Sequence, residues 1–556
     1  MNLMNEATRK DLGCLLALLL LAGILFGFQL GKTGLLDPDE PFYALTAKEM
    51  LASQDPWTPR MFGQPQFEKP IFFYWVLYAA FRVLGISEFS ARIGPCVAGI
   101  LTVFVVFLWG RILFRRREPA FLAAAILASS GQFIVLSRTV LTDVFLCLFV
   151  TSALCAFSWG WRNEKARPLA WHLLFVFCAL GFLTKGPLGL LIPFFGIVSY
   201  SVLSGERWIL ARLPWVSGLV LFSVIAVPWY AAMTNLHGVD FLKQTFLHEN
   251  VRRFFVAEHR GMDRWNFYPL VLLGGFFPWG IIVLAGLAHA LTRKKTLFFV
   301  AVSFFVPFVF FSLAKSKLIS YIFPMYPLAA LAAGFWAWKF HRAMKFGFEP
   351  SKIFLSLNFL GWVIIPAALS WGTFLFAETK EIQIFAPVAV ISAVIMSFSW
   401  LAFYFLWRRN FLRSFGTMLA MSVLFSSLAF GWMLPMAGPA FSSKRWAKDY
   451  QRLTEGKQNP LFMTSKLFVR GMTFYTGSKD FGVFSSQPKG GFYTPHPIRI
   501  MSDSGDLLKM EKEKFPVYFL LRGKEFGHLL EGLDPSFSVS VVKATTQRIL
   551  VRLDRV

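Results

Sequence analysis

Ile71-Phe72-Phe73-Tyr74-Trp75-Val76-Leu77-Tyr78-Ala79-Ala80-Phe81-Arg82-Val83-Leu84 is the stretch whose reading decides how the chain is threaded. Counted as a membrane crossing, it brings the apolar runs to about 14. It would then put Arg115-Arg116-Arg117 outside and invert every later loop. Laid along or dipping into the outer interface, it lets the basic clusters fall on one side. These are Arg9/Lys10, Arg115–Arg117, Arg162/Lys165/Arg167, Arg207/Arg212, Arg293/Lys294/Lys295, Lys339/Arg342/Lys345/Lys352 and Arg408/Arg409/Arg413. The positive-inside bias makes that side cytoplasmic. Phe72-Phe73-Tyr74-Trp75 is dense in interface-seeking aromatics, which suits a helix in the membrane surface.

Outward from this stretch, apolar runs predict about 13 spanning helices. They lie near 12–30, 91–113, 119–136, 142–161, 170–184, 187–203, 213–232, 267–290, 296–313, 319–338, 353–376, 383–407 and 415–435. The first, preceded by Arg9 and Lys10, reads as an uncleaved signal anchor. An odd count puts the C-terminal part outside, together with the stretches 31–90 and 233–266. Of 556 residues, 56% are hydrophobic and only 16% charged, against about 25% charged in soluble domains. After Pro439 the spanning runs stop. The chain therefore divides into a membrane domain, 1–436, and a soluble α/β domain, 440–556, with Pro435, Gly438 and Pro439 as a hinge. Within the second, helices are predicted at 443–453 and 465–474, and strands at 460–463, 517–521, 539–542 and 548–553. No internal duplication of the transporter kind is visible.

The net charge of +25 follows mainly from the positive-inside bias, with attraction to anionic membrane lipids as its functional reading. Nucleic acid is not an expected partner, because the charges sit in short inter-helix loops. Cys14, Cys96, Cys147, Cys155 and Cys178 lie in or beside apolar segments; the soluble domain has none, so no disulfide reports its compartment.

Some outside charges break the bias: Lys69, Arg138, Lys185, Lys315 and Lys317, with Arg252, Arg253 and Arg260 in the longer loop. A single cation at a helix end snorkels to water as readily as it binds an anion. Several on one side fit a phosphate pocket at the outer leaflet. Acids accompany them: Asp39 and Glu40 in Asp37-Pro38-Asp39-Glu40-Pro41-Phe42-Tyr43-Ala44, and Asp143 in Arg138-Thr139-Val140-Leu141-Thr142-Asp143. Each of these acids also suits a helix N-terminus.

These residues fall in an ordered set of motifs. Asp39-Glu40-Pro41-Phe42-Tyr43-Ala44, Glu49-Met50-Leu51, Trp57-Thr58-Pro59-Arg60, Gly63-Gln64-Pro65 and Phe67-Glu68-Lys69-Pro70 occupy the first outer loop. Phe182-Leu183-Thr184-Lys185-Gly186-Pro187, Phe277-Pro278-Trp279, and Phe311-Ser312-Leu313-Ala314-Lys315-Ser316-Lys317-Leu318 with Tyr321 and Pro324 follow. In this collinear order they resemble the bacterial undecaprenyl-phosphate aminoarabinose (lipid A) transferases, within the protein O-mannosyltransferase-like GT-C superfamily. The resemblance covers the membrane domain; the C-terminal domain matches in position and size alone. The chain departs from the family at Phe42, where Arg is frequent, and at Ile71, where a second Pro is frequent. Both departures bear on substrate preference.

The resemblance implies an α-helical polytopic GT-C-type glycosyltransferase with surface-lying helices after the first span. It implies transfer of a sugar, 4-amino-4-deoxy-L-arabinose foremost, from undecaprenyl phosphate to a lipid A phosphate of lipopolysaccharide. Transfer would occur with inversion, at the periplasmic face of the bacterial inner membrane. By carry-over, Asp39, Glu40 and Asp143 are catalytic acids, and Lys69, Arg138, Lys185 and Lys317 bind the donor phosphate. Tyr43, Glu68 and Tyr321 line the substrate cavity, and Glu68 with His259 is the nearest match to the family's divalent metal (zinc) site. Another sugar, a protein hydroxyl acceptor and a lipid or sugar transporter are the competing readings. Transporters, however, concentrate ionisable groups near the midplane, whereas these gather at the outer boundary.

Overall fold

The computed structural model describes residues 6–243, 245–246, 264–293, 295–379, 384–455, 461–478, 480–485 and 498–556. The chain is an α-helical polytopic membrane protein with a small C-terminal α/β domain. Every predicted spanning run is helical over most of its length. The first nine helices are α1 (Glu6–Gly27), α2 (Asp39–Ala52), α3 (Phe72–Leu84), α4 (Glu88–Phe114), α5 (Arg117–Ala128), α6 (Gly131–Leu136), α7 (Asp143–Arg162), α8 (Arg167–Lys185) and α9 (Leu188–Ser204). Among the described residues, nine helices are long and apolar enough to cross a membrane, and a bent pair makes a tenth candidate. Their outward faces are apolar: Val216, Val220, Val224 and Val227 form an exposed stripe at helical spacing along Trp215–His237, as a lipid-facing surface requires.

The helix α3 has 13 residues, about 20 Å at helical rise, against a hydrocarbon core of about 30 Å. It buries Phe73, Tyr74, Leu77 and Phe81 and leaves Val83 and Leu84 exposed. It is too short to cross, as the charge pattern required.

Two predicted spans are broken. The run 119–136 divides at Ser129 and Ser130, whose hydroxyls donate back to the carbonyls of Ala125 and Ile126, each at 2.6 Å. Such bonds compete with the helix ladder. The run 267–290 bends by 116° between Phe267–Gly275 and Gly280–Leu291. A Cβ at Gly275 would lie 2.1 Å from the Tyr326 hydroxyl oxygen, so only glycine admits this approach. The two breaks face each other: the Gly131 amide donates to Phe277 O at 3.0 Å, and Trp279 Nε1 to Ser129 Oγ at 2.8 Å. Trp362 Nε1 donates to Pro278 O at 2.6 Å. Irregular backbone at this depth is thus satisfied by protein, as an apolar surrounding demands.

Pro435, Gly438 and Pro439 do not form a hinge. They lie in Leu434–Phe441, which continues the long helix Phe411–Phe441 after a π turn at Ala429–Met433. Pro435 thus lies inside the continuous helix, just after the π turn. The helix Trp215–His237 likewise runs past the predicted end at 232.

The outer loop carries a two-stranded antiparallel ribbon, β1 (Arg60–Met61) with β2 (Gln64–Pro65), and the C-terminal domain, which begins at Lys444–Leu453, holds six strands, β3 (Phe462–Thr464), β4 (Phe481–Phe484), β5 (Arg499–Met501), β6 (Val517–Leu521), β7 (Phe537–Ala544) and β8 (Ile549–Arg555). Their order is β5-β4-β3-β6-β8-β7, parallel from β5 to β6 and antiparallel at β8 and β7. Helices cover both faces, so all five residues of β6 are buried, and the strand reads as a continuous apolar run. The domain sits on the end of the bundle that holds α2 and α3. Arg548 pairs with Asp37 at 3.1 Å, Lys444 with Glu88 at 2.6 Å, and the Leu35 amide donates to the Tyr475 hydroxyl at 2.7 Å. The chain between α1 and α4 and the C-terminal domain therefore share one side of the bundle.

Candidate active site

The segment Gln66–Pro70 is fixed from both neighbouring helices. Gln66 is fully buried, and its side-chain amide donates to the Tyr74 hydroxyl at 2.7 Å and to Thr46 Oγ1 at 3.3 Å. Its Oε1 accepts from the Glu68 amide at 3.1 Å. Glu68 and Lys69 are thereby held half-buried, with Lys69 Nζ donating to the Glu68 carbonyl at 2.9 Å. Tyr43, one turn into α2, packs against Phe73 and Tyr74 with ring centroids 5.2 and 6.0 Å apart. Burial raises its phenol well above the ordinary value, and the charges of Asp143 and Asp39 act in the same direction. Asp39 and Asp143 are both near enough to act on this phenol.

Asp143 opens α7 and pairs with Lys185, the last residue of α8, at 2.6 Å. The motif Thr184-Lys185-Gly186-Pro187 explains the placement. Gly186 takes φ +62°, which ends α8, and Pro187 starts α9 in the next step. Lys185 Nζ also stands 5.4 Å from the centre of the Tyr321 ring. Lys317 is buried in the short loop after Thr296–Leu313, close in sequence to Tyr321.

The C-terminal domain enters this site. Arg470, on the helix Val469–Thr476, approaches Glu68 at 3.9 Å and lies over the Phe42 ring at 4.7 Å. Burial lowers its guanidinium pKa, while Glu68, Asp39, Tyr74 and Tyr43 pull it back up. Burial lowers the ammonium pKa of Lys466, in the turn before that helix, with Arg470 adding to the shift and Glu68 opposing it. The adjacent Gly471 makes the approach possible, since a Cβ there would lie 2.2 Å from Asp37 Oδ1. Sequence reasoning missed Arg470; its signal was one arginine beside a glycine in the otherwise apolar Phe468-Val469-Arg470-Gly471-Met472. The guanidinium sits on the very residue, Phe42, where the resembling family frequently carries its own arginine.

Two predicted site residues are tied into the frame of the fold. Glu40 is 1% exposed. It accepts from Arg92 Nε at 2.9 Å and from the amides of Val140 at 3.0 Å and Leu36 at 2.8 Å. Arg92 also donates to the carbonyls of Thr33 and Gly34 at 2.8 and 2.9 Å, so the pair staples α4 to the start of the outer loop. Arg138 donates to the carbonyls of Leu25, Phe26 and Phe28 and lies 3.8 Å over the Phe430 ring. Those are the orphan carbonyls of the α1 C-terminus, and Arg138 is their cap. His259, with Arg252, Arg253 and Arg260, lies outside the described residues. Among the described residues no group of three His, Cys, Asp or Glu side chains can hold a metal, and Glu68 is faced by Arg470.

A family model described as dolichyl-phosphate-mannose-protein mannosyltransferase matches residues 14–241. An undecaprenyl phosphate-alpha-4-amino-4-deoxy-L-arabinose arabinosyl transferase of Proteus mirabilis is 31% identical over 376 residues, 66% of either chain. The corresponding Pseudomonas aeruginosa (strain LESB58) enzyme is 32% identical over 323 residues, 57% of this chain and 58% of its own. The chain belongs to the aminoarabinose-transferase family. Its matched part spans about two thirds or less of these family members' lengths. In fold the correspondence is complete: ArnT from Cupriavidus metallidurans, solved bound to undecaprenyl phosphate, superposes with TM-score 0.81 at 22% identity. That superposition covers 97% of this chain and 98% of ArnT.

Proposed function

We propose that this protein transfers an amino sugar, 4-amino-4-deoxy-L-arabinose foremost, from undecaprenyl phosphate to a phosphate of lipid A. The observation that carries this reading is the convergence of Lys69, Glu68, Asp39, the Asp143–Lys185 pair and Arg470 beside Tyr43 at one end of an apolar bundle. Cations at such a boundary suit a lipid phosphate that stays anchored in the leaflet. Family membership and the names of the curated relatives supply the sugar and the carrier. We place the site on the periplasmic face of the bacterial inner membrane, from the basic clusters assigned to the opposite side.

In the reaction an acceptor phosphate oxygen attacks the anomeric carbon as the bond to the carrier phosphate breaks. The polyprenyl phosphate leaves with the bonding electrons, and the anomeric centre inverts. Lys69 and Arg470 are the cations to which we assign neutralisation of the charge that develops on the leaving phosphate. A phosphate acceptor is already ionised near neutral pH, so Asp39 positions the sugar or its amine and no base is needed. The mannosyltransferase family match favours a second reading, a protein hydroxyl acceptor. In that case Asp39 is the general base.

The test is mass spectrometry of lipid A from a host lacking its own aminoarabinose transferase and expressing this chain. A mass gain of one amino sugar, absent with Lys69→Ala, is the expected result. No gain, with folded protein and donor present, rejects lipid A as acceptor.

A further inference from the structure

A second polar feature lies at the far end of the bundle. The helix α4 runs 27 residues from Glu88, against the C-terminal domain, to Phe114, about 40 Å away. There a cavity of about 670 Å³ opens between the ends of α4, Gly280–Leu291, Thr296–Leu313 and Tyr326–Lys345. Its lining includes Arg293, Lys339 and Arg342, with His289 and the aromatic walls Phe114 and Trp338. No carboxylate lines it among the described residues.

The cations are held in place. Arg293 Nε donates to His289 Nε2 at 3.2 Å. The guanidinium groups of Arg342 and Arg116 lie over the Trp338 ring at 5.2 and 5.3 Å. Behind the lining, Arg162 ties two of its residues together, donating to Leu113 O at 2.9 Å and Thr296 Oγ1 at 2.7 Å. Like charges gathered around one cavity repel, and an anion bound among them relieves that cost. The cavity is open: its lining residue Phe346 is 83% exposed, and Arg293, Lys339 and Arg342 are exposed around it. Its volume suits a headgroup rather than a whole lipid.

We propose that this cavity binds the phosphate headgroup of an anionic membrane lipid on the face opposite the transferase site. A general positive-inside bias needs no cavity, no stacked guanidinium groups and no aromatic wall. The proposal does not depend on the sugar-transfer reading.

The experiment is native mass spectrometry of the purified full-length protein. Phosphatidylglycerol and cardiolipin are offered against zwitterionic phosphatidylethanolamine, with inorganic phosphate as a separate competitor. Selective retention of an anionic lipid is expected. In Lys339→Gln/Arg342→Gln, that affinity should fall roughly 30-fold. Ala343→Trp, which fills the cavity at unchanged charge, should lose the lipid as well, while monodisperse elution shows that each variant is folded. Displacement of the lipid by inorganic phosphate supports headgroup recognition. Binding of inorganic phosphate without lipid retention overturns the lipid assignment. Undiminished retention in Ala343→Trp, or an equal loss in the control Arg408→Gln/Arg413→Gln, overturns the site.

Discussion

Glu40 and Asp39 are neighbours on α2 and point about 100° apart, so one enters the frame and the other the site. Two substitutions separate these roles. Glu40→Gln breaks a buried pair with Arg92 and should cost about 3 kcal/mol or more of stability, read as a lowered melting temperature in detergent. Asp39→Asn should leave the melting temperature in place and lower the transfer rate. The opposite pattern would return Glu40 to the site. Asp37 gives a pH signature. Burial is the largest effect on its carboxyl and pushes it from 3.8 up to about 7, against the pull of Arg548. Between about pH 4 and 7 the folded state therefore holds a proton that the unfolded chain has shed, so this group's contribution is full below pH 4 and lost as pH rises through 7. The melting-temperature difference, wild type minus Asp37→Asn, should shrink across that interval; a growing difference would contradict the assignment.

At the scale of elements, the loop between α8 and α9 makes the sharpest demand. Gly186 stands at φ +62°, where an added side chain costs about 1 kcal/mol or more. Gly186→Ala should lower the melting temperature modestly and cut the rate by more than that destabilisation explains, because Lys185 is displaced from Asp143. A rate unchanged within twofold would separate the turn from the site. Spans were legible in the sequence because apolar length is a one-dimensional property, and the surface helix α3 because basic charge fixes parity. The breaks at Ser129–Ser130 and Gly275–Trp279 were hidden, because each is stabilised by the other and by residues distant in sequence, Trp362 and Ser422. Strands β4 and β5, of 4 and 3 residues, are too short to carry a period.

For the whole molecule, the consequence is a site shared between two domains. The outer-loop acids and lysines were legible because their motifs are local. Arg470 was not, because its partners Glu68 and Phe42 lie some 400 residues earlier in the chain. The structural engagement of Glu40 and Arg138 was hidden for the same reason: only the fold shows that Arg92 and the end of α1 bind them. The fold places an arginine of the C-terminal domain against Glu68 in the outer loop. The most direct measurement is the initial rate of sugar transfer from the undecaprenyl phosphate-linked amino sugar to lipid A. Purified full-length protein in vesicles would be compared as wild type, Lys69→Ala, Arg470→Ala and Arg470→Lys. The account predicts a loss of about 100-fold for Lys69→Ala and Arg470→Ala. Arg470→Lys should recover part of the rate, because charge is kept and the guanidinium fork is not. Wild-type rates in Arg470→Ala, with folding unchanged, would contradict the shared site.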